Sequence, residues 1–220
     1  MTAETRKMPR RRSAKGLAET VYFPSEGKAH RKETIRCAAE RARRLRAKHF
    51  VVFTSRGDGA EDALEELQGT TVTVVAVTFR AEKKFYSQKE GSDEFQATPV
   101  GISPQRRKKL EDAGAVIVRA ALPFAEIPHA PHSADPKLSA IRSTLDLFGG
   151  GTTLCVQAVL MACDSGAIPA DEDVVVCAAD TAIVIKACHE EDLFTPWGLE
   201  IREVIAKPRV LTITKGMKQA

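Results

Sequence analysis

The segment Phe50-Val51-Val52-Phe53-Thr54-Ser55-Arg56-Gly57-Asp58-Gly59-Ala60 constrains the fold more than any other. An apolar run of strand length breaks there at a glycine turn and continues as a helical pattern. Backbone N–H groups at a helix start have no intrahelical acceptor, and the aligned peptide dipoles add partial positive charge. A phosphate placed against Ser55 to Gly59 would therefore find donors waiting, and the glycines let the main chain approach closely. The turn predicts a small anionic ligand. It contains no nucleophile, general base or metal-ligand set, so it predicts binding and no reaction. Gly57-Asp58-Gly59 lacks the third glycine of a dinucleotide fingerprint and the lysine of a nucleoside triphosphate loop. Asp58 leaves two readings open, an open cradle or a helix start capped by its own carboxylate.

With 43% hydrophobic residues in 220, the chain can close one generous core, so a single soluble domain is expected. Arginines near the start without a following apolar run do not make a secretory signal, and no apolar stretch is long enough for a bilayer, which predicts a cytoplasmic protein. Five cysteines without a Cys-x-x-Cys pair read as reduced thiols, with Cys155 and Cys163 acting as small core hydrophobes. His129-Ala130-Pro131-His132 with Asp135 offers metal-ligand chemistry, but proline breaks the spacing and no further ligand is apparent, so no metal is expected.

The net charge of +4 is uneven. Arg6, Lys7, Arg10, Arg11, Arg12 and Lys15 against Glu4 give the first fifteen residues +5 and leave the remainder at −1. Lacking aromatics for stacking, this segment reads as a solvated arm rather than a nucleic-acid clamp. Arg36, Arg41, Arg43, Arg44, Arg46 and Lys48 lie on or just after a helix whose apolar partners are Ile35, Ala38, Ala42 and Leu45. Its charges form a wet face on which an acidic partner can dock.

Beyond that helix, strand-like and helix-like segments alternate, the signature of a mostly parallel sheet flanked by helices. Strands are expected at His49 to Thr54, Thr71 to Thr78, Ala115 to Val118, Val174 to Cys177, Thr181 to Lys186 and Glu200 to Ala206. Arg80 to Val100 reads as an irregular excursion. Ser103-Pro104 starts a helix that Gly114 ends. An amphipathic helix through Leu138, Ile141, Leu145 and Phe148 precedes one that is apolar almost all round from Thr152 to Cys163, which must be buried on most sides. The link between Cys177 and Thr181 is too short for a crossover helix, so its two strands are antiparallel neighbours at one side of the sheet.

Three stretches carry a family resemblance: Cys163-Asp164-Ser165-Gly166-Ala167-Ile168-Pro169, Ala179-Asp180-Thr181-Ala182 and Glu203-Val204-Ile205-Ala206-Lys207-Pro208-Arg209. With Gly27-Lys28 and the turn Thr54 to Ala60, they make the chain resemble stand-alone proteins of the pyruvate kinase C-terminal domain type. The resemblance implies a three-layer α/β fold with a five-stranded, mostly parallel sheet and an antiparallel edge. It implies one domain over residues 21–209, between a basic tail at 1–20 and a short tail at 210–220. No kinase activity is implied, because the catalytic barrel has no counterpart. The resemblance suggests flavin mononucleotide or a sugar phosphate as ligand. Thr54, Ser55, Arg56, Gly57 and Gly59 then form the phosphate-gripping turn, and Asp180 and Thr181 belong to the cofactor side. Thr78, Arg80 and Arg119 join as residues at strand ends, where open parallel sheets bind ligands; Arg80 offers a planar fork to phosphate. The expected partner is a small phosphorylated molecule, with neither membrane nor nucleic acid, and self-association is left open. The alternative is a scaffold protein that has lost the pocket and binds an acidic partner through its basic helix and tail.

Overall fold

The computed structural model describes residues 17–88, 94–125 and 135–216. Most of the basic tail, and the His129 and His132 pair, lie outside these residues.

Seven strands, numbered in chain order, form the main sheet: β1 (Val21–Ser25), β2 (His49–Phe53), β3 (Thr73–Phe79), β6 (Val116–Ala120), β7 (Asp173–Cys177), β8 (Ala182–Lys186) and β9 (Glu200–Val210). Their spatial order is β1-β9-β8-β7-β2-β3-β6. All pairings are parallel except the two that β8 makes with β7 and β9. The sheet is thus larger than the five strands expected. The antiparallel strand also lies in its interior rather than at an edge, because β9 and then β1 extend the sheet beyond it. β1 escapes a sequence reading because its alternation, Val21-Tyr22-Phe23-Pro24-Ser25, is short and broken by proline. Proline lacks a ladder donor, and here it sits on an edge strand, where that loss is tolerated. The stretch from Arg80 to Val100 is likewise not irregular. It holds the antiparallel pair β4 (Lys84–Gln88) and β5 (Phe95–Pro99), fastened to the sheet through edge contacts among Phe53, Phe79 and Phe85.

Helices cover both faces and make three layers. Helix α1 (Arg31–Leu45) turns Ile35, Ala38, Ala39 and Ala42 onto the sheet. Beside it lie α2 (Asp58–Glu66) and α3 (Pro104–Asp112), and together they bury Phe50, Val52, Val74, Ala76 and Val175. The opposite face carries α4 (Pro136–Leu145) and α5 (Gly150–Asp164) over Val51, Phe53, Val75, Val77, Val176 and Ile185. Alternate residues of β2 therefore serve different cores, as the pleat requires. Helix α5 is buried from Thr152 to Cys163 with one exception, Leu154. Its apolar composition leaves it no wet face to present.

A short helix α6 (Thr212–Gly216) follows β9 and is tied back by one carboxylate. Glu26 accepts from Ile213 N at 2.6 Å, Thr214 N at 2.8 Å and the Thr214 hydroxyl, and weakly from Gly150 N at 3.4 Å. Burial pushes the Glu26 carboxyl up, but the hydrogen bonds from Thr214, Ile213 and Gly150 together outweigh it and leave the pKa below the ordinary 4.5.

A group with a depressed folded pKa stabilises fully above its unfolded value and loses that contribution as pH falls through the folded one. Glu26→Ala should cost about 1–3 kcal/mol at neutral pH, the price of stranded amides. In urea titrations at neutral and at progressively lower pH, the gap between wild type and variant should close below 4.5. A gap independent of pH would show that Glu26 does not hold the C-terminal helix as an anion.

Candidate functional site at the carboxyl end of the sheet

Chain direction places a crevice in this sheet. From β2 the chain runs through α2, β3 and α3 to β6 on one face; it then crosses to the other face and returns through α4 and α5 to β7, on the far side of β2. Connections therefore leave β2 and enter β7 on opposite faces and in opposite directions. The carboxyl ends of these two strands form the switch point at which open α/β sheets bind ligands.

Thr54 to Gly59 follows the carboxyl end of β2, at that switch point. Gly57 holds φ 98°, a left-handed conformation suited to glycine, and stands as the N-cap of α2. Asp58 does not cap the helix. Its carboxylate reaches Arg106 of α3 at 2.6 Å and approaches Arg31 of α1 at 3.8 Å. The capping role falls to Thr54, whose hydroxyl accepts from Gly57 N at 3.0 Å and Gly59 N at 3.3 Å. Gly57 O takes the amides of Ala60 and Glu61, at 3.0 Å and 3.1 Å. The turn is thus partly satisfied from within. Ser55 is half-buried, and its carbonyl accepts from Gly101 N at 2.8 Å. Arg56 is exposed and has no charged partner among the described residues. A side chain at Gly59 would press on Val52 at 3.1 Å, so glycine is needed there for close packing.

Beneath the turn, Thr78 and Arg119 are paired in register on β3 and β6, on the face carrying α2 and α3. Thr54 lies one step beyond the Phe53–Val77 pair and so continues the same row. The Thr78 side chain is fully buried and its hydroxyl has no hydrogen-bond partner among the described residues. Arg119 donates to Ile102 O at 2.6 Å. Arg80, past the end of β3, is exposed and donates to Ala81 O at 3.2 Å.

Asp180 and Thr181 belong to a different wall, in the link from β7 to β8. Asp180 accepts from Gly27 N at 2.7 Å and from the Thr181 hydroxyl at 3.1 Å. Thr181 O accepts from Ala178 N at 2.8 Å, which closes the link. A Cβ at Gly151 would lie 2.3 Å from the Thr181 hydroxyl, so the first turn of α5 packs directly on this wall. The expected residues thus divide into the turn with Thr78, and the Asp180 wall one strand away.

The site also uses residues that carry no local signal. Arg106 lies over Gly57 and binds both Asp58 and Glu61, and its hydrogen bond is the main cause holding the Glu61 carboxyl below its ordinary range. Arg31 is held by Asp62 at 2.6 Å. Thiol chemistry is not set up here. Burial raises Cys155 and Cys177 well above the ordinary thiol value, Cys163 to about 12 and Cys188 to about 11, so all four remain protonated at neutral pH. Among the described residues, no group of three or more His, Cys, Asp or Glu is placed to hold a metal, and no helix is long and apolar enough to cross a membrane.

No family model matches the chain. It is similar to crystal structures of pyruvate kinase from Cryptosporidium parvum. One overlaps with a TM-score of 0.32 at 12% identity over 66% of this chain and 20% of the other. A second gives 0.31 at 13% over 79% and 22%. A third, in complex with ADP, gives 0.36 at 12% over 81% and 24%. The chain therefore spans about a fifth to a quarter of these enzymes. Such overlaps are too slight to carry function, and the α/β architecture stands on the strand pairings themselves.

The two threonines of the row should respond oppositely to loss of their hydroxyls. Thr54→Val strands the Gly57 and Gly59 amides and should lower stability by about 1–3 kcal/mol. Thr78→Val removes a buried hydroxyl that satisfies nothing and should leave the urea midpoint unchanged or raised. A destabilised Thr78→Val would show that its hydroxyl has a partner in the free protein.

Proposed function

We propose that the chain binds the phosphate group of a small molecule at the turn Thr54 to Gly59, without phosphoryl-transfer chemistry. The observation that carries this reading is the Thr78 hydroxyl, fully buried in the row that Thr54 continues and without a partner among the described residues. A buried hydroxyl in that condition costs free energy in the unliganded protein, and an anion oxygen reaching it would remove the cost. Arg56 is positioned by sequence at the same turn and free to contribute charge. Flavin mononucleotide and sugar phosphates are the ligands favoured by the sequence resemblance. For either, Ser55, Arg56 and Gly57 would face the phosphate, with Thr78 below and Arg80 at the rim. Flavin chemistry would come from the bound ring, while these residues bind and orient its phosphate.

The basic helix gives less support to an acidic partner. Arg31 and Arg41 are held by Asp62 and Glu203 of other elements, and Arg36 and Arg44 pair with Glu33 and Glu40 along the exposed face of the same helix.

The test is a thermal-shift series with flavin mononucleotide, a sugar bisphosphate and inorganic phosphate. A ligand selective for the native state at a hundred times its Kd should stabilise by about 2.7 kcal/mol. Thr78→Val and Arg56→Ala should each weaken that ligand about tenfold or more while leaving the unliganded midpoint close to wild type. Absence of a shift with all three compounds, or shifts indifferent to both substitutions, would refute the assignment.

A further inference from the structure

A second opening lies on the other side of the switch point and shares no residue with the turn. It is a cavity of about 510 Å³ between the segment after β1, the first turn of α5, the β7–β8 link and α6. That volume falls within the range of roughly 300–1,000 Å³ typical of small-molecule sites. Its apolar wall comes from Leu154, Ala178, Ala179 and Ile213. Leu154 is the single residue between Thr152 and Cys163 that α5 leaves incompletely covered, and it is the one that faces this space.

The charged groups around the cavity differ in how far they are satisfied. Its three carboxylates all accept from the protein: Glu26 from the amides of Gly150, Ile213 and Thr214, Asp146 from the Thr153 hydroxyl at 2.7 Å, and Asp180 from Gly27 N and Thr181. The amide ends of α5 and α6 offset the charge of Glu26. The two cations at the rim, Lys28 and Arg142, are exposed and have no partner among the described residues. An entering molecule therefore meets apolar surface inside and two unpaired positive charges at the mouth.

We infer that this cavity is a binding site for an amphiphilic acid, with an aryl or alkyl body against Leu154 and Ile213 and one anionic head between Lys28 and Arg142. Burial of the body supplies most of the affinity, since exposed charge pairs are individually weak. The cations set the orientation and reject neutral analogues.

The probe is anilinonaphthalene sulfonate, whose fluorescence rises when its rings leave water and which carries a single anionic head. Titrated into the intact chain, it should bind saturably at one site. Lys28→Ala combined with Arg142→Ala should weaken it about tenfold. Leu154→Trp, which fills the cavity, should abolish the signal. Urea midpoints of the variants close to wild type show that any loss comes from the site and not from unfolding. Three outcomes overturn the inference: no saturable binding, affinity unchanged in both variants, or a signal removed instead by Phe194→Ser in the apolar groove between α4 and Leu193. Because neither variant touches the Thr54 turn, this result stands or falls apart from the phosphate assignment.

Discussion

The burial of α5 organises the molecule. A helix with apolar residues on every side cannot rest on one sheet face and show the other to water, so α4 and the segment following β8 close over it while β2, β3, β7 and β8 lie beneath. Its first turn then falls against the β7–β8 link, where Gly151 packs on Thr181 and Asp180 without room for a side chain. That contact fixes one wall of the cavity between the β7–β8 link and α6. Its last turn ends at Ser165 and Gly166, which feed β7 back into the centre of the sheet.

The two proposed sites rest on contrasting ways of satisfying backbone donors. At α2 the amides are partly answered from inside by Thr54, and a nearby hydroxyl, Thr78, is left over. At α5 and α6 a carboxylate from β1's end answers them, so the surplus there is positive charge on Lys28 and Arg142. In each place the ligand class follows from what the protein leaves unpaired.

Much of the local structure was legible in the sequence. The strand, glycine turn and helix around Gly57 are as read, because apolar periodicity and glycine conformation are local properties. Ser103 caps α3 by accepting from Arg106 N, as the Ser-Pro pair announced. The antiparallel pairing of β7 and β8 followed from a link too short to cross over. The hairpin β4–β5 leaves no signal in the sequence because its residues are mostly exposed and alternate no hydrophobic face. Asp58 stands where a capping carboxylate could sit, yet the acceptor is Thr54, since Arg106 and Arg31 draw the carboxylate away.

Sequence by itself determined the element types, the α/β class, the all-round burial of one helix and the position of the glycine turn between β2 and α2, all of which depend on neighbours a few residues apart. Tertiary structure alone decided the seven-strand order, the interior place of β8, the guard of Arg106 over Gly57, and the tie from Glu26 to Ile213 across 187 residues. Those outcomes turn on which distant groups compete successfully for the same donors and charges. That competition is settled only when the sheet has brought them within hydrogen-bond reach.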